Sequence, residues 1–171
     1  VMALKVVVWG TGNVGRPAIR AVLSHRDLEL VGVIVASKNK VGLDAGEIAG
    51  TGKTGVIATD DWHSVVQAGA DAVVYTATAD IRPEEAMADL LACLGAGINV
   101  VSTAFYAFLE PGSSPPGALQ VVNDACEKSG ASLFVSGIDP GWVMDMLPIV
   151  VSGAVLGIRE LRVREIFNYA L

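Results

Sequence analysis

Six residues near the N-terminus, Gly10-Thr11-Gly12-Asn13-Val14-Gly15, constrain the fold of this chain more than any other feature. They follow an apolar run with strand composition, residues 4–9, and open a helix-like segment, residues 14–24. In that setting each glycine has its own reason. Gly10 permits a tight turn, Gly12 lets the backbone approach a pyrophosphate with no Cβ in the way, and Gly15 lets the helix pack close to the sheet. The anion then meets free amides at Asn13 and Val14 and the positive end of the helix dipole. A lone G-x-G-x-x-G says little, but one placed between a strand and a helix specifies a dinucleotide site. Gly10, Thr11, Gly12, Asn13, Val14, Gly15 and the adjacent Arg16 are therefore the first cofactor-binding candidates.

The rest of the chain repeats the same alternation. Residues 30–36, 72–76, 98–102 and 133–136 are short β-rich runs, and residues 62–68, 83–94 and 118–128 carry helical patterns between them. Unbroken valines such as Val6-Val7-Val8 suit a strand buried on both faces, as in a parallel sheet. The expected fold class is α/β, a doubly wound and mostly parallel Rossmann sheet. Punctuation agrees: Asp60-Asp61 stands where a helix cap belongs, Pro83 opens a helix, and Gly95 and Gly97 follow one. Residues 110–117, rich in Pro, Gly and Ser, form a loop.

A chain of 171 residues holds one such domain and not a second complete one, since single cores span about 100–200 residues. Residues 142–156 turn apolar and helical, and residues 158–169 then alternate apolar and charged side chains with a break at Glu165-Ile166. The expectation is a Rossmann domain over 1–141, a crossover helix over 142–157, and at 158–171 the first strand of a second α+β domain whose remainder is absent. The alternative is an added edge strand of the first sheet.

A formal net charge of -6 without a Lys/Arg cluster argues against a nucleic-acid or anionic-membrane partner. No run reaches the roughly 18 apolar residues of a membrane span and no signal-peptide layout is present, so a cytoplasmic location is expected. Cys93 and Cys126 lie in helical segments, and His25 and His63 have turn or capping surroundings, so no metal site is expected.

Cofactor preference turns on the segment after the second strand. A carboxylate there accepts the ribose hydroxyls of NAD. This chain has Ala36-Ser37-Lys38-Asn39-Lys40, with a hydroxyl and two ammonium groups suited to a 2′-phosphate. NADP(H) is favoured and NAD(H) remains possible, with Ser37, Lys38 and Lys40 as candidates; the competing reading makes both lysines plain solvated charges. Gly50-Thr51-Gly52-Lys53-Thr54 ends like a P-loop but lacks the spacing and the preceding strand, so an NTPase is rejected. Thr76, Ala77, Thr78, Ser102, Thr103 and Gly137 stand at strand ends, where open α/β sheets bind ligands, and complete the cofactor set; turn capping is the bland alternative.

The run from Gly42 to Val56, Gly-Leu-Asp-Ala-Gly-Glu-Ile-Ala-Gly-Thr-Gly-Lys-Thr-Gly-Val, resembles the corresponding loop of dihydrodipicolinate reductases, as do Gly10 to Gly15 and the strand end from Asn99 to Thr103. The run from Gly137 to Pro148 is more similar to the 2,4-diaminopentanoate dehydrogenase and native amine dehydrogenase branch, which has Asn where this chain has Asp139. The resemblance implies hydride transfer between nicotinamide and a C=N or C–N centre, of imine reductase or amine dehydrogenase type. It also implies a small-molecule amine, imine or carbonyl substrate and a homo-oligomer built by a C-terminal domain.

Two departures accompany it. The His- and Lys-bearing motif of dihydrodipicolinate reductases is absent, and the catalytic Glu that the amine dehydrogenase branch carries after the fifth strand is missing from residues 103–109. Glu110, slightly late, and Tyr106, a possible proton donor, are the catalytic candidates. A non-catalytic NAD(P)-binding module or redox-sensing paralogue is the alternative function. A semialdehyde dehydrogenase is weaker, because neither cysteine stands at a strand end.

Overall fold

A computed structural model describes residues 2–67, 69–166 and 168. The chain divides into two units, Val1–Val135 and Ser136–Leu171. The first contains β1 (Leu4–Trp9), α1 (Gly15–Ser24), β2 (Leu28–Ile34), α2 (Ala45–Ala49), β3 (Ala58–Thr59), α3 (Trp62–Gln67), β4 (Ala72–Tyr75), α4 (Pro83–Gly95), β5 (Asn99–Ser102), α5 (Pro116–Ser129) and β6 (Leu133–Val135). The strands form one sheet in the order β3-β2-β1-β4-β5-β6, every pair parallel. This is the Rossmann order, and the chain reverses its direction of growth between β1 and β4, where such sheets open a crevice.

The valine runs are explained by two cores. On one face Val7, Trp9, Val73, Tyr75 and Val100 pack with Leu90, Cys93 and Leu94 of α4 and Val122 of α5. On the other, Val6, Val8, Val33 and Val35 pack with Ile19 and Val22 of α1 and Ile48 of α2. Successive residues of β1 thus enter opposite cores, so no position in its second half can be polar. Pro83 opens α4 with Glu84 and Glu85 in the first turn, where the dipole favours acids, and Gly130 ends α5 in a left-handed conformation at φ 77°.

The expected elements are found with small boundary shifts. β2 begins at Leu28 rather than Leu30, because Leu28 and Glu29 pair with Leu4 and Lys5. α3 is described as far as Gln67; Ala68, its expected last residue, lies outside the described residues. The two-residue β3 and five-residue α2 are additions too short to leave a periodicity in the sequence.

The second unit has a helical stretch, Ile138–Met146, that is non-helical at Asp139, Pro140 and Gly141 and runs on into Leu147–Ser152. Within 142–157, the segment expected to be helical, the helix ends at Ser152. Among the described residues, 158–166 pair with no other segment, and Phe167 and Tyr169 of the expected strand lie outside the described residues. A strand exists by its ladder, and alternation alone supplies no partner for its backbone groups. Nor does this segment extend the six-stranded sheet as an edge strand. Among the described residues no helix is long and apolar enough to cross a membrane, and no metal-binding group of His, Cys, Asp and Glu is found.

Candidate cofactor-binding site

The glycine-rich turn sits at the β1/β4 reversal, and its three glycines differ in what surrounds them. Gly10 has φ 106°, and a Cβ there would lie 2.7 Å from the Ala77 nitrogen. A Cβ on Gly15 would lie 2.0 Å from the Gly10 carbonyl oxygen. A Cβ on Gly12 would meet nothing within 4 Å. Two glycines are thus demanded by the protein's own packing, while the third leaves space that the protein does not fill. Thr76 fastens the turn, its Oγ1 lying 3.1 Å from the Trp9 carbonyl oxygen and 3.2 Å from that of Gly10. The N-terminus of α1 has neither a side-chain cap nor an acid in its first turn, which leaves its amides and dipole to an outside anion.

Gly10, Thr11 and Gly12 form one wall of a cleft of about 920 Å³, facing Ala36, Ser37, Lys38, Lys40, Asp60 and Trp62, with Thr76, Ala77, Thr78 and Arg82 along its side. The volume suits a dinucleotide-sized ligand, since small-molecule sites run to about 300–1,000 Å³. The two lysines behave differently. Lys38 is ion-paired with Asp60 and holds that carboxyl below its usual range. The Lys40 ammonium donates to the Thr11 carbonyl at 3.0 Å and Thr11 Oγ1 at 3.2 Å, so it sits against the turn itself. Arg16 lines an adjoining recess of about 420 Å³ with Arg20, Asn39, Lys40 and Glu47.

Asp60 and Asp61, alike in sequence, separate in space. Asp61 Oδ1 accepts from the His63 amide and caps α3, whereas Asp60 faces the cleft. Trp62 stacks on Trp9 with ring centroids 5.9 Å apart. Below them, the buried Tyr75 hydroxyl donates to Asp89 at 2.9 Å, and Arg82 donates to both Asp89 and the Tyr75 oxygen at 3.0 and 3.2 Å. Burial first, then the Asp89 carboxylate, pushes the phenol well above its usual range, so it remains a neutral donor. Asp60, Trp62, Arg82 and Asp89 are cleft residues that sequence reasoning did not select; Asp60 had a signal, but it read equally well as a cap.

The glycine-rich run at 42–56 closes around Asp44. Its carboxylate accepts from the amides of Gly46, Thr54 and Gly55 and from the Thr54 hydroxyl, at 2.8 to 3.0 Å. These donors, led by the Thr54 amide, lower its pKa to about 2 against the opposing effect of desolvation. Gly46 has no room for a side chain, because its Cβ would stand 2.0 Å from the Gly52 carbonyl oxygen.

At the β5 end the candidates divide. Ser102 is buried, its hydroxyl donating to the Tyr75 carbonyl and accepting from the Ala104 amide, both at 3.0 Å, so it fixes strand ends to each other. Thr103 is exposed. Glu110 Oε1 accepts from the Gly112 amide at 2.8 Å and caps the turn Pro111–Ser113. Tyr106 donates to Asp80 at 2.6 Å, across a chain separation of 26 residues. Gly137 belongs to the second unit, where its carbonyl accepts from the Trp142 amide at 2.9 Å. Cys93 is buried, and desolvation pushes its thiol up to about 12, which removes it as a nucleophile.

The family model described as dihydrodipicolinate reductase, N-terminus, matches residues 4–106. An amine dehydrogenase of Streptomyces virginiae is 47% identical over 98% of this chain and 47% of its own length. A 2,4-diaminopentanoate dehydrogenase of Acetoanaerobium sticklandii is 23% identical over 95% of this chain and 46% of its own. Among solved structures, an amine dehydrogenase from Mycobacterium smegmatis superposes with a TM-score of 0.74 at 25% identity, covering 91% of this chain and 45% of that one. The chain therefore spans about half the length of these relatives.

Proposed function

We propose that this chain, which belongs to the dihydrodipicolinate reductase N-terminal family, is the cofactor-holding part of an NAD(P)-dependent oxidoreductase of amine dehydrogenase or imine reductase type. The observation that carries the reading is the open space at Gly12, beside two glycines closed by packing, at the mouth of a cleft of about 920 Å³. The 47% identity to an amine dehydrogenase along nearly the whole chain supports the C–N chemistry.

When bound, the nicotinamide supplies hydride transfer to or from the carbon of a C=N or C–N centre. The protein's part is binding, orientation and exclusion of water. The amides at Thr11, Gly12, Asn13 and Val14 and the uncapped α1 terminus take the pyrophosphate. Thr76, Ala77, Thr78, Ser102 and Thr103 are assigned to the nicotinamide side, Thr76 and Ser102 acting by holding strand ends. NADP(H) is preferred over NAD(H): residues 36–40 hold no carboxylate, the nearby Asp60 is taken up by Lys38, and Lys40, with Arg16 in the adjoining recess, brings positive charge to the turn. Residues 1–141 are the cofactor domain of a cytoplasmic homo-oligomer whose substrate domain follows.

The test is a fluorescence titration of the full-length protein with NADPH and NADH, followed by turnover with small ketones plus ammonia and with the matching amines. Saturable binding tighter for NADPH, with cofactor oxidation on at least one ketone, is the expected result. Absence of binding would overturn the cofactor reading. The acid missing from residues 103–109 favours a second reading, a non-catalytic NAD(P)-binding module, which gives binding without turnover on any member of the panel.

A further inference from the structure

Beside the cofactor cleft lies a second pocket of about 350 Å³, between the loop that leads into α4 and the loop that follows β5. Its walls are apolar, made by Met87, Phe105, Phe108 and Pro115 among others, and the single carboxylate in its lining is Asp80. Thr78 lines the cofactor cleft and Asp80 lines this pocket, so two steps of backbone, about 7 Å, join the two walls. Tyr106 donates to Asp80 Oδ1 at 2.6 Å, which holds the carboxylate against the loop after β5.

We propose that this pocket binds the alkyl group of a small primary amine, with the Asp80 carboxylate receiving its ammonium, and that Tyr106 is the positioning residue of that carboxylate. The proposal rests on the reading of the chain as part of an oxidoreductase acting at a C–N centre, and it locates the nitrogen. One anionic group at the exposed rim of an apolar pocket favours a cation with a hydrocarbon tail. A neutral alcohol of the same shape gains the same burial without the charge, and a carboxylic acid is repelled. At about 350 Å³ the pocket stands at the small end of the roughly 300–1,000 Å³ range of ligand sites, which suits a short alkyl chain. The signal was absent from the sequence because Asp80 and Tyr106 come from different loops.

The experiment is calorimetric titration of the full-length protein with pentylammonium and with 1-pentanol, with and without NADPH, on wild type, Asp80→Asn and Tyr106→Phe. Asn at 80 still accepts from the Tyr106 hydroxyl, so the loops stay joined while the charge is lost. Asp80→Asn is expected to weaken pentylammonium at least tenfold, leave pentanol unchanged and keep NADPH affinity within twofold. Tyr106→Phe is expected to weaken pentylammonium by two- to fivefold, also without effect on NADPH. Wild-type binding that ignores the charge, or an Asp80→Asn protein that binds pentylammonium as wild type does, overturns the proposal while NADPH binding leaves the cofactor reading intact. Loss of NADPH binding in the wild type is instead the failure of the cofactor reading. A parallel fall in both affinities in Asp80→Asn also overturns the proposal, because it makes Asp80 a structural tie.

Discussion

Replacing Gly12 by Ala separates what the fold needs from what the ligand needs. The added methyl meets nothing within 4 Å, and Gly12 is not among the glycines with positive φ. Its native conformation therefore suits an L side chain, and restricting the unfolded chain raises stability by about 0.4–1 kcal/mol. For a chain of this size that lifts Tm by roughly 1–4 °C. Gly15→Ala is the control, since its Cβ would stand 2.0 Å from the Gly10 oxygen. An ordinary contact needs about 3.4 Å or more, so α1 must move away from the turn; overpacking of that kind costs about 1–3 kcal/mol, lowering Tm by roughly 2–12 °C.

Cofactor binding reverses the order of harm. With a methyl at Gly12, the pyrophosphate cannot come within the 2.7–3.2 Å that amide hydrogen bonds require. Losing one or two bonds to a charged group, at about 1.5–3 kcal/mol each, weakens NADPH by roughly 10- to 20,000-fold. The assays are thermal unfolding by circular dichroism and NADPH fluorescence titration, run on the same preparations. A Gly12→Ala protein that melts with or above wild type yet binds NADPH poorly is the expected outcome. If it binds as wild type does, the pyrophosphate does not lie over Gly12 and the assignment of the turn is refuted. If instead it unfolds as early as Gly15→Ala, the reading of the free space is wrong.

Lys40→Ala should weaken NADPH at least tenfold more than NADH, an effect that shrinks as salt rises; equal losses for both cofactors, measured by paired titrations, would remove Lys40 from 2′-phosphate recognition. Because the folded Asp44 carboxyl sits near 2, below its ordinary value of 3.8, it contributes stability above about pH 4 that is lost as pH falls towards 2. The Tm difference between wild type and Asp44→Asn should accordingly be largest at pH 5 and above and close up towards pH 2. Cys93 should resist iodoacetamide at pH 8 in the native protein while the partly exposed Cys126 reacts, so mass spectrometry should find one modified cysteine before unfolding and two after. Tyr75→Phe should cost about 1 kcal/mol in urea unfolding, because Arg82 continues to satisfy Asp89.

The valine runs, the glycine spacing and the cap at Asp61 were legible in the sequence because each is a local matter: a strand buried on both faces, a turn with no room for Cβ, a helix that starts on a carboxylate. These determined the sheet and the position of the glycine-rich turn, Gly10 to Gly15, at its reversal point. The run at 42–56 was legible as a resemblance, and its physical reason, four donors closing on Asp44, appears only once the loop is folded. The alternation at 158–166 is a different case. Alternation satisfies side chains, but a strand also needs a neighbour for its backbone, and that is a property of the fold. Lys38 and Lys40, equivalent in the sequence, became unlike when the tertiary structure set Asp60 against one and Thr11 against the other. The same holds for Asp80, which Tyr106 meets only because parallel strands bring successive loops to one edge of the sheet. Local sequence decides what a residue can do; charge pairing and pocket membership depend on through-space distance, which falls to a few ångströms only after the strands have taken their order.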